Sequence, residues 1–306
     1  ARLGRQHWLR LPPRTPAQLT RVWARMVCFA EGLKSAHLHN PRIYGVAPFV
    51  VALLHGGPGA AGEMAPVARN LVLEHTPGWG VLEPLQTATS VQGQIEELRT
   101  ILWKQADLPA TLVGYSWGAW LGFFLAAQYP QFVKKLVLIG SGPFEECYVA
   151  GLQKTRLSRL NDQERAEFTY IIRSLADPAT EDKDRLLVRF ADLTAKTDQY
   201  NPLPHTSESI GLQGDIYQKV WAEAAQLRRS GRLLALGRQI QCPVLAIHGD
   251  YDPHPAEGVE KPLSATLNSF RFILLKNCGH TPWIERQARD QFYRVLKEEL
   301  QIVACS

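Results

Sequence analysis

Short apolar runs recur along the chain and alternate with amphipathic stretches. Six runs have the length of a strand and are bounded by turn residues, which is typical of buried strands. They lie at residues 49–54, 79–82, 110–113, 132–139, 243–249 and 270–275. Residues 63–73 are predicted to form the first helix, and helical periodicity is clear at residues 91–104. The helical stretches 119–128 and 281–300 are expected to flank the sheet. Alternating strands and helices predict an α/β fold with a mostly parallel central sheet.

The pattern changes between about residues 145 and 236, where strand-like runs stop. This stretch is rich in charge and helical periodicity and is punctuated by Gly and Pro. It predicts a helical lid inserted between strands of the core. The domain organisation expected from sequence is therefore a basic N-terminal segment (1–36), a core (37–144 and 237–303) and a helical lid (145–236).

The sequence Gly-Tyr-Ser-Trp-Gly at residues 114–118 follows one predicted strand directly and precedes a predicted helix. Strand, sharp turn and helix place Ser116 at the apex of the turn, with its hydroxyl exposed above the sheet. Flanking glycines leave room for a turn that is too tight for side chains. Ser116 is therefore the candidate nucleophile.

A glycine-rich loop, His-Gly-Gly-Pro-Gly at residues 55–59, follows the strand 49–54. Pro58 has no N–H, so Gly57 is the expected hydrogen-bond donor of this loop. Together with the backbone N–H of Trp117, it is predicted to form an oxyanion hole. His55 is expected to pack and hydrogen-bond beneath the loop rather than to act as a base.

Two further strand ends supply an acid and a base. Asp252 follows the strand 243–249, and His280 follows the strand 270–275, so the chain order is Ser116, Asp252, His280. A serine hydroxyl needs a histidine to take its proton, and the acid holds the imidazole tautomer. Asp250 is the closest competitor of Asp252, and Glu145 is a further alternative acid.

Three more histidines carry weaker signals. His248 lies inside an apolar strand and is expected to be a satisfied core residue. His254 and His205 have no partner that can be identified from sequence.

These motifs resemble those of α/β-hydrolase-fold serine hydrolases over roughly residues 40–300. The His-Gly-Gly-Pro-Gly loop and the Gly-x-Ser-Trp-Gly elbow are similar to the proline iminopeptidase branch of that superfamily. Members of this branch usually carry Asp-Gln-Arg-Gly after the next strand, whereas this chain has Glu-Pro-Leu-Gln at residues 83–86. This departure weighs against cleavage of N-terminal proline and leaves the triad unaffected.

Substrate contacts are expected from the lid. The aromatic Phe144 and Trp221 are candidates for an apolar acyl pocket, and the acids Glu145 and Glu223 are candidates for binding a substrate ammonium. The predicted function is a serine hydrolase of the carboxylesterase type that cleaves a small ester or amide through an acyl-enzyme. Alternatives are an aminopeptidase similar to proline iminopeptidase and a ligand-binding protein without catalysis.

The net charge of +5 is local, because residues 1–25 contain six arginines and no acidic residue. Without those arginines the chain has 28 basic and 29 acidic residues. The charge pattern therefore predicts no nucleic-acid partner, and no apolar run approaches the roughly 20 residues of a membrane span. The expected partner is a small-molecule or short-peptide substrate, and the oligomeric state stays open.

Cysteine usage favours reduced thiols in a cytoplasmic protein. The chain has five cysteines, an odd number, and none of them has Cys-x-x-Cys spacing. This pattern argues against a disulfide framework or a zinc site. Neither a metal nor an organic cofactor is expected.

Overall fold

The computed structural model describes residues 40–75, 78–205 and 210–304, and the side chains of 73–75 and 301–304 are outside this description. The predicted basic segment 1–36 lies outside the described residues. The strands, in chain order, are β1 (Arg42–Tyr44), β2 (Phe49–Leu54), β3 (Ala60–Ala61), β4 (Gly80–Glu83), β5 (Ala110–Tyr115), β6 (Val133–Ile139), β7 (Gly211–Leu212), β8 (Val244–Gly249) and β9 (Phe270–Leu275).

Ten α-helices lie among the described residues. They are α1 (Ala65–His75), α2 (Val91–Gln105), α3 (Trp117–Gln128), α4 (Val149–Ser158), α5 (Asp162–Ala176), α6 (Lys183–Asp198), α7 (Gly214–Arg229), α8 (Arg232–Ala235), α9 (Glu257–Thr266) and α10 (Arg289–Ala304).

Seven strands form the central sheet in the order β1-β4-β2-β5-β6-β8-β9. All neighbours are parallel except β1 and β4, which pair antiparallel. Alternate residues of β2 enter two different apolar clusters: Ala52 packs with α2 and α3, whereas Val51 packs with α1 and α10. The sheet therefore has helices on both faces, which confirms the predicted architecture and explains why its strands read as continuous apolar runs.

The region between β6 and β8 contributes no strand to the central sheet. Residues 146–239, called here the helical segment, contain α4–α8, two 3₁₀-helices and β7. Its one described strand, β7, pairs antiparallel with β3, so Ala60 faces Leu212 and Ala61 faces Gly211. A third apolar cluster lies within this segment and includes Leu160, Phe168 and Leu187. The segment thus has its own small core.

Two helices begin later than their sequence patterns predict. The first helix starts at Ala65, which leaves Glu63 in the preceding turn. The last starts at Arg289 instead of residue 281, because a 3₁₀-helix at Pro282–Ile284 comes first. Both differences concern residues next to the candidate site described below.

Candidate active site

The turn at Ser116 is tight because two glycines permit close backbone contacts. A Cβ added at Gly114 would lie 2.2 Å from the carbonyl oxygen of Gly118, and one at Gly118 would lie 2.1 Å from that of Leu54. Ser116 itself has φ 52° and ψ −113°, in a region that residues other than glycine rarely adopt. Helix α3 begins at the next residue, so the serine lies at its positive end.

The loop before β3 requires a glycine at position 57. Gly57 has φ 109°, and a Cβ there would lie 2.7 Å from the amide nitrogen of Ala60. Neither Gly57 nor Trp117 donates its backbone N–H to an acceptor in the described part of the chain. The Trp117 side chain is buried and donates to Gln94 Oε1 at 2.8 Å. The Trp117 side chain is thus committed to the core, and its backbone N–H stays without an acceptor among the described residues.

His55 is fully buried beneath this loop. Its Nδ1 donates to the Gly56 carbonyl at 2.9 Å, and its Nε2 accepts from the Gln86 N–H at 3.1 Å. Burial lowers the pKa of His55 to about 4. The ring is therefore neutral and fully hydrogen-bonded, as the structural role expected from sequence requires.

Asp252 and His280 meet at the carboxyl ends of β8 and β9. Nδ1 of His280 lies 2.7 Å from Oδ2 of Asp252. Burial disfavours the ionised carboxylate, but the neighbouring His280, His254 and His248 outweigh it and hold the pKa of Asp252 well below its usual range. Burial likewise opposes the charged imidazole, yet Asp252 raises the pKa of His280 above its usual value. An ionised carboxylate only accepts, so Nδ1 of His280 donates and Nε2 is the basic atom.

Asp250, the closest competitor of Asp252, is exposed and has other partners. Its carboxylate accepts the Cys278 N–H at 3.3 Å and lies 3.7 Å from Lys276 Nζ. It therefore stabilises the turn before His280, which is a structural role that carboxylates often have in loops.

The loop of His280 is anchored to the helical segment by buried polar contacts. The His280 N–H donates to the Asp198 carbonyl at 2.7 Å. Glu285, which is fully buried, accepts the N–H groups of Tyr200, Asn201 and Gly279 at 2.7, 2.8 and 2.9 Å. One carboxylate therefore ties the end of α6 to the loop that carries His280.

Ser116 and His280 line one cavity of about 160 Å³. Gly57, which is expected from sequence in an oxyanion hole, and Trp221, which is expected in an acyl pocket, line the same cavity. A further, apolar part of the wall is formed by residues of the helical segment. It includes Leu187, Phe190, Ala191, Leu212 and Tyr217.

Three residues expected at the substrate pocket lie elsewhere. Phe144 is fully buried and packs against Phe123, with ring centroids 4.9 Å apart. Glu145 is exposed just before a 3₁₀-helix. Glu223 accepts the Val91 N–H at 2.8 Å and borders a separate groove beside α2. None of the three lines the cavity of Ser116, so the sequence-based assignment of these side chains to the pocket needs correction.

A carboxyl group that the sequence did not single out borders the cavity. Glu63 lies in the turn before α1, and its Oε2 is shielded from solvent without a hydrogen bond from any described residue. Burial raises the pKa of Glu63 to about 7, although the nearby His280 and the Gly56 amide partly oppose this shift. The cavity thus contains an acidic group that changes charge near neutral pH.

The cavity wall also contains a buried ion pair. Arg156 Nε donates to both oxygens of Asp198, at 2.9 and 3.1 Å, and its Nη2 donates to Oδ2. Thr197 adds a hydrogen bond from Oγ1 to the same carboxylate at 2.6 Å. The charges of Arg156 and Asp198 therefore compensate each other. Glu63 is the cavity carboxyl that has no cationic partner among the described residues.

His254 is another wall residue that sequence reasoning left without a partner. Its Nδ1 lies 2.7 Å from Oδ1 of Asp252, and its ring stacks on His280. Of the described side chains, Asp252, His254 and His280 form the group that could hold a metal, with ligand atoms within 4.8 Å of one another. Both Nδ1 atoms instead point their protons at the carboxylate, which is a hydrogen-bonded arrangement.

Two general expectations concern the rest of the chain. None of the described helices is both long and apolar enough to cross a bilayer. Cys147, Cys242 and Cys278 are free thiols, and burial raises the pKa of Cys242 to about 11. Cys28 and Cys305 lie outside the described residues.

A family model described as alpha/beta hydrolase fold matches residues 97–287, more than half of the chain. Two curated proteins, both named pimeloyl-[acyl-carrier protein] methyl ester esterase, are similar in sequence. The one from Nitrosomonas europaea is 28% identical over 175 residues, which cover 57% of this chain and 65% of that protein, just under two thirds of its length. The one from Chromobacterium violaceum is 25% identical over 272 residues, which cover 85% of this chain and 97% of that protein.

The fold is also similar to that of solved structures. A proline iminopeptidase from Mycobacterium smegmatis superposes with a TM-score of 0.58 at 16% identity, over 87% of this chain and 96% of that one. At this level of identity the likeness concerns the fold alone.

Proposed function

This chain belongs to the α/β hydrolase fold family and is a hydrolase, and on that premise we propose that it is a serine esterase acting on small acyl esters. The observation that carries the proposal is the 2.7 Å contact between His280 Nδ1 and Asp252 Oδ2 beside the strained elbow of Ser116. The esterase names of the two curated relatives support ester chemistry.

In the proposed reaction, Nε2 of His280 takes the proton of the Ser116 hydroxyl as its oxygen attacks the ester carbonyl. Asp252 holds the ring in the required tautomer and stabilises the imidazolium. The N–H groups of Gly57 and Trp117 stabilise the oxyanion. The alcohol leaves with a proton from His280, and water then releases the acid from Ser116 by the same steps.

The size of the cavity supports a short acyl group. An apolar cavity of about 150 Å³ is large enough for benzene, and this one measures about 160 Å³. We further propose that the helical segment is the lid of the enzyme, since it supplies about half of the residues that line this cavity, and most of these are apolar. Short acyl esters are therefore the expected substrates.

Labelling with a fluorophosphonate probe tests the nucleophile. The wild-type protein should be labelled, and Ser116→Ala should abolish labelling and lower kcat for aryl butyrate about 10⁴-fold or more. Ser158→Ala, at an exposed serine of α4, should leave both unchanged. Absence of labelling in the wild-type protein would favour a ligand-binding protein without catalysis.

One observation supports a second candidate function, an aminopeptidase. Glu63 brings a carboxyl group without a cationic partner among the described residues to the cavity, and a substrate ammonium needs such a group in a partly dry site. Aryl esters of graded chain length should be compared with alanyl and prolyl arylamides. Arylamide cleavage that falls about tenfold in Glu63→Gln, with butyrate hydrolysis retained, would establish the aminopeptidase.

A further inference from the structure

One carboxylate is shared by two imidazole rings. His280 donates through Nδ1 to Oδ2 of Asp252 at 2.7 Å. His254 contacts the other oxygen, Oδ1, with its ring Nδ1 at 2.7 Å and with its backbone N–H at 3.0 Å. Each oxygen of Asp252 therefore has its own histidine.

The two rings also contact each other. Their centroids are 4.6 Å apart and their planes differ by 29°. Both histidines are buried and line the cavity. Burial lowers the pKa of His254 to about 4, despite the opposing effect of Asp252. His254 is thus neutral when His280 works as a base, and it presents an N–H dipole to the carboxylate instead of a second positive charge.

The backbone of His254 is also held by a hydrogen bond from β8. Nε2 of His248 donates to the His254 carbonyl at 2.8 Å. His248 is buried within β8 and lies 3.6 Å from Oδ2 of Asp252. Hydrogen bonds therefore fix His254 at three points, which are its backbone N–H, its backbone carbonyl and its ring Nδ1.

We infer that His254 is a positioning residue, which holds Asp252 by Oδ1 so that Oδ2 faces His280. This inference rests on the proposed function, because it requires His280 to be the base. The terminal torsion of an aspartate is broad, so a carboxylate held on one side only has freedom to turn. His254 removes that freedom, and its ring packs on the plane of the imidazole that Asp252 orients.

The matched variants His254→Asn and His254→Leu separate the hydrogen bond from packing. The two side chains have nearly the same size, but only the Asn amide can donate to Oδ1. Hydrogen bonds to charged groups contribute enough for about a 10- to 100-fold effect. We expect His254→Leu to lower kcat by that factor with KM within about threefold of wild type, and His254→Asn to recover most of kcat.

Proton NMR spectroscopy reports directly on the hydrogen bond between His280 and Asp252. The downfield proton resonance of the His280–Asp252 hydrogen bond should be present in the wild-type and Asn proteins, and lost or broadened in the Leu protein. His254→Phe serves the same comparison if the Leu variant does not fold. His205→Asn, at an exposed histidine, should match wild type in both measurements.

Two results would overturn the inference. One is an equal kcat in the Asn and Leu variants, which would leave the hydrogen bond without effect. The other is an unchanged downfield resonance in the Leu variant. The proposed function fails separately, since it fails if hydrolysis by the wild-type protein does not depend on Ser116.

Discussion

The strand ends of the core and the helical segment face the same cavity, but they contribute different chemistry. The core supplies Ser116, Asp252 and His280 from the ends of β5, β8 and β9, and each sits in a loop fixed by hydrogen bonds. The helical segment supplies mainly apolar side chains such as Phe190 and Trp221. Under the proposed function, this division assigns bond cleavage to the core and the choice of acyl group to the helical segment.

The two regions also treat buried charge differently. In the core, the Asp252 carboxylate accepts hydrogen bonds from the rings of His280 and His254 and from the His254 N–H. In the helical segment, Asp198 is neutralised by the guanidinium of Arg156. We therefore expect substitutions in the core to reduce catalysis first, and substitutions at this ion pair to reduce stability first.

The largest effect is expected from the acid in the core. Asp252→Asn should lower kcat about 10⁴-fold, because an amide no longer holds His280 in the tautomer that a base needs. Steady-state hydrolysis of an aryl ester measures this loss. Asp250→Asn is the matched control and should stay within about threefold of wild type. Similar losses in the two variants would contradict the assignment of Asp252.

The ion pair of the helical segment should affect stability instead. Arg156→Leu leaves the buried Asp198 carboxylate without its partner, which typically costs about 3–5 kcal/mol of unfolding free energy. Denaturant unfolding measures this change. The double variant Arg156→Leu/Asp198→Leu should recover much of the loss, because it removes both charges.

An exposed pair in the same segment provides the comparison. Arg189 and Glu167 lie 2.7 Å apart with side chains 44% and 34% exposed. Arg189→Leu should cost less than about 1 kcal/mol. A loss in Arg156→Leu as small as this one would contradict the expected role of burial.

Glu63 allows the linkage between pH and stability to be tested. Its folded-state pKa is raised to about 7, so the folded protein binds this proton more tightly than the unfolded chain. The resulting penalty is absent at low pH and grows as the pH rises from the unfolded to the folded pKa. The Glu63→Gln variant has no such pH-dependent penalty. Its unfolding free energy relative to wild type should therefore be about 2 kcal/mol higher at pH 8 than at pH 5.

Chemical denaturation at the two pH values gives this difference directly. Gln has its own pH-independent cost of burial, which cancels in the comparison. An equal difference between variant and wild type at both pH values would show that Glu63 is not a perturbed acid.

The smallest expected effect concerns selectivity. Trp221 lines the cavity, so Trp221→Leu should change the ratio of kcat/KM between butyrate and acetate esters by about three- to tenfold. Glu223→Gln should leave that ratio unchanged, since Glu223 caps α2 and lies outside this cavity. An altered ratio in the Glu223 variant would show that the groove beside α2 also contributes to substrate selectivity.

The core was predictable from sequence because its signals are local. The paired glycines 114 and 118 are required where backbones approach within van der Waals contact, and the apolar runs report strands buried on both faces. The predicted parallel sheet is accordingly confirmed. The order Ser116, Asp252, His280 follows from the order of strand ends in such a sheet.

The wall of the cavity was not predictable in the same way. Glu63 was expected in the first helix, but that helix starts two residues later and leaves the carboxyl in a turn. Glu223 was expected to face a substrate, yet it meets the N-terminus of a helix far away in the sequence. Which side chains converge here depends on how the helices of the segment pack against the core, and no local pattern encodes that packing.

The short ladder between β3 and β7 joins the helical segment to the loop that carries Gly57. Beside it, Gly59 accepts the Gln213 N–H at 3.0 Å and Ala61 accepts the Ile210 N–H at 2.8 Å, so the helical segment is hydrogen-bonded to the loop that carries Gly57. Under the proposed function, contacts between an acyl group and the segment are therefore transmitted to the loop that carries Gly57. Contacts made far from the scissile bond would then change kcat as well as substrate affinity, which is the kinetic pattern expected of induced fit.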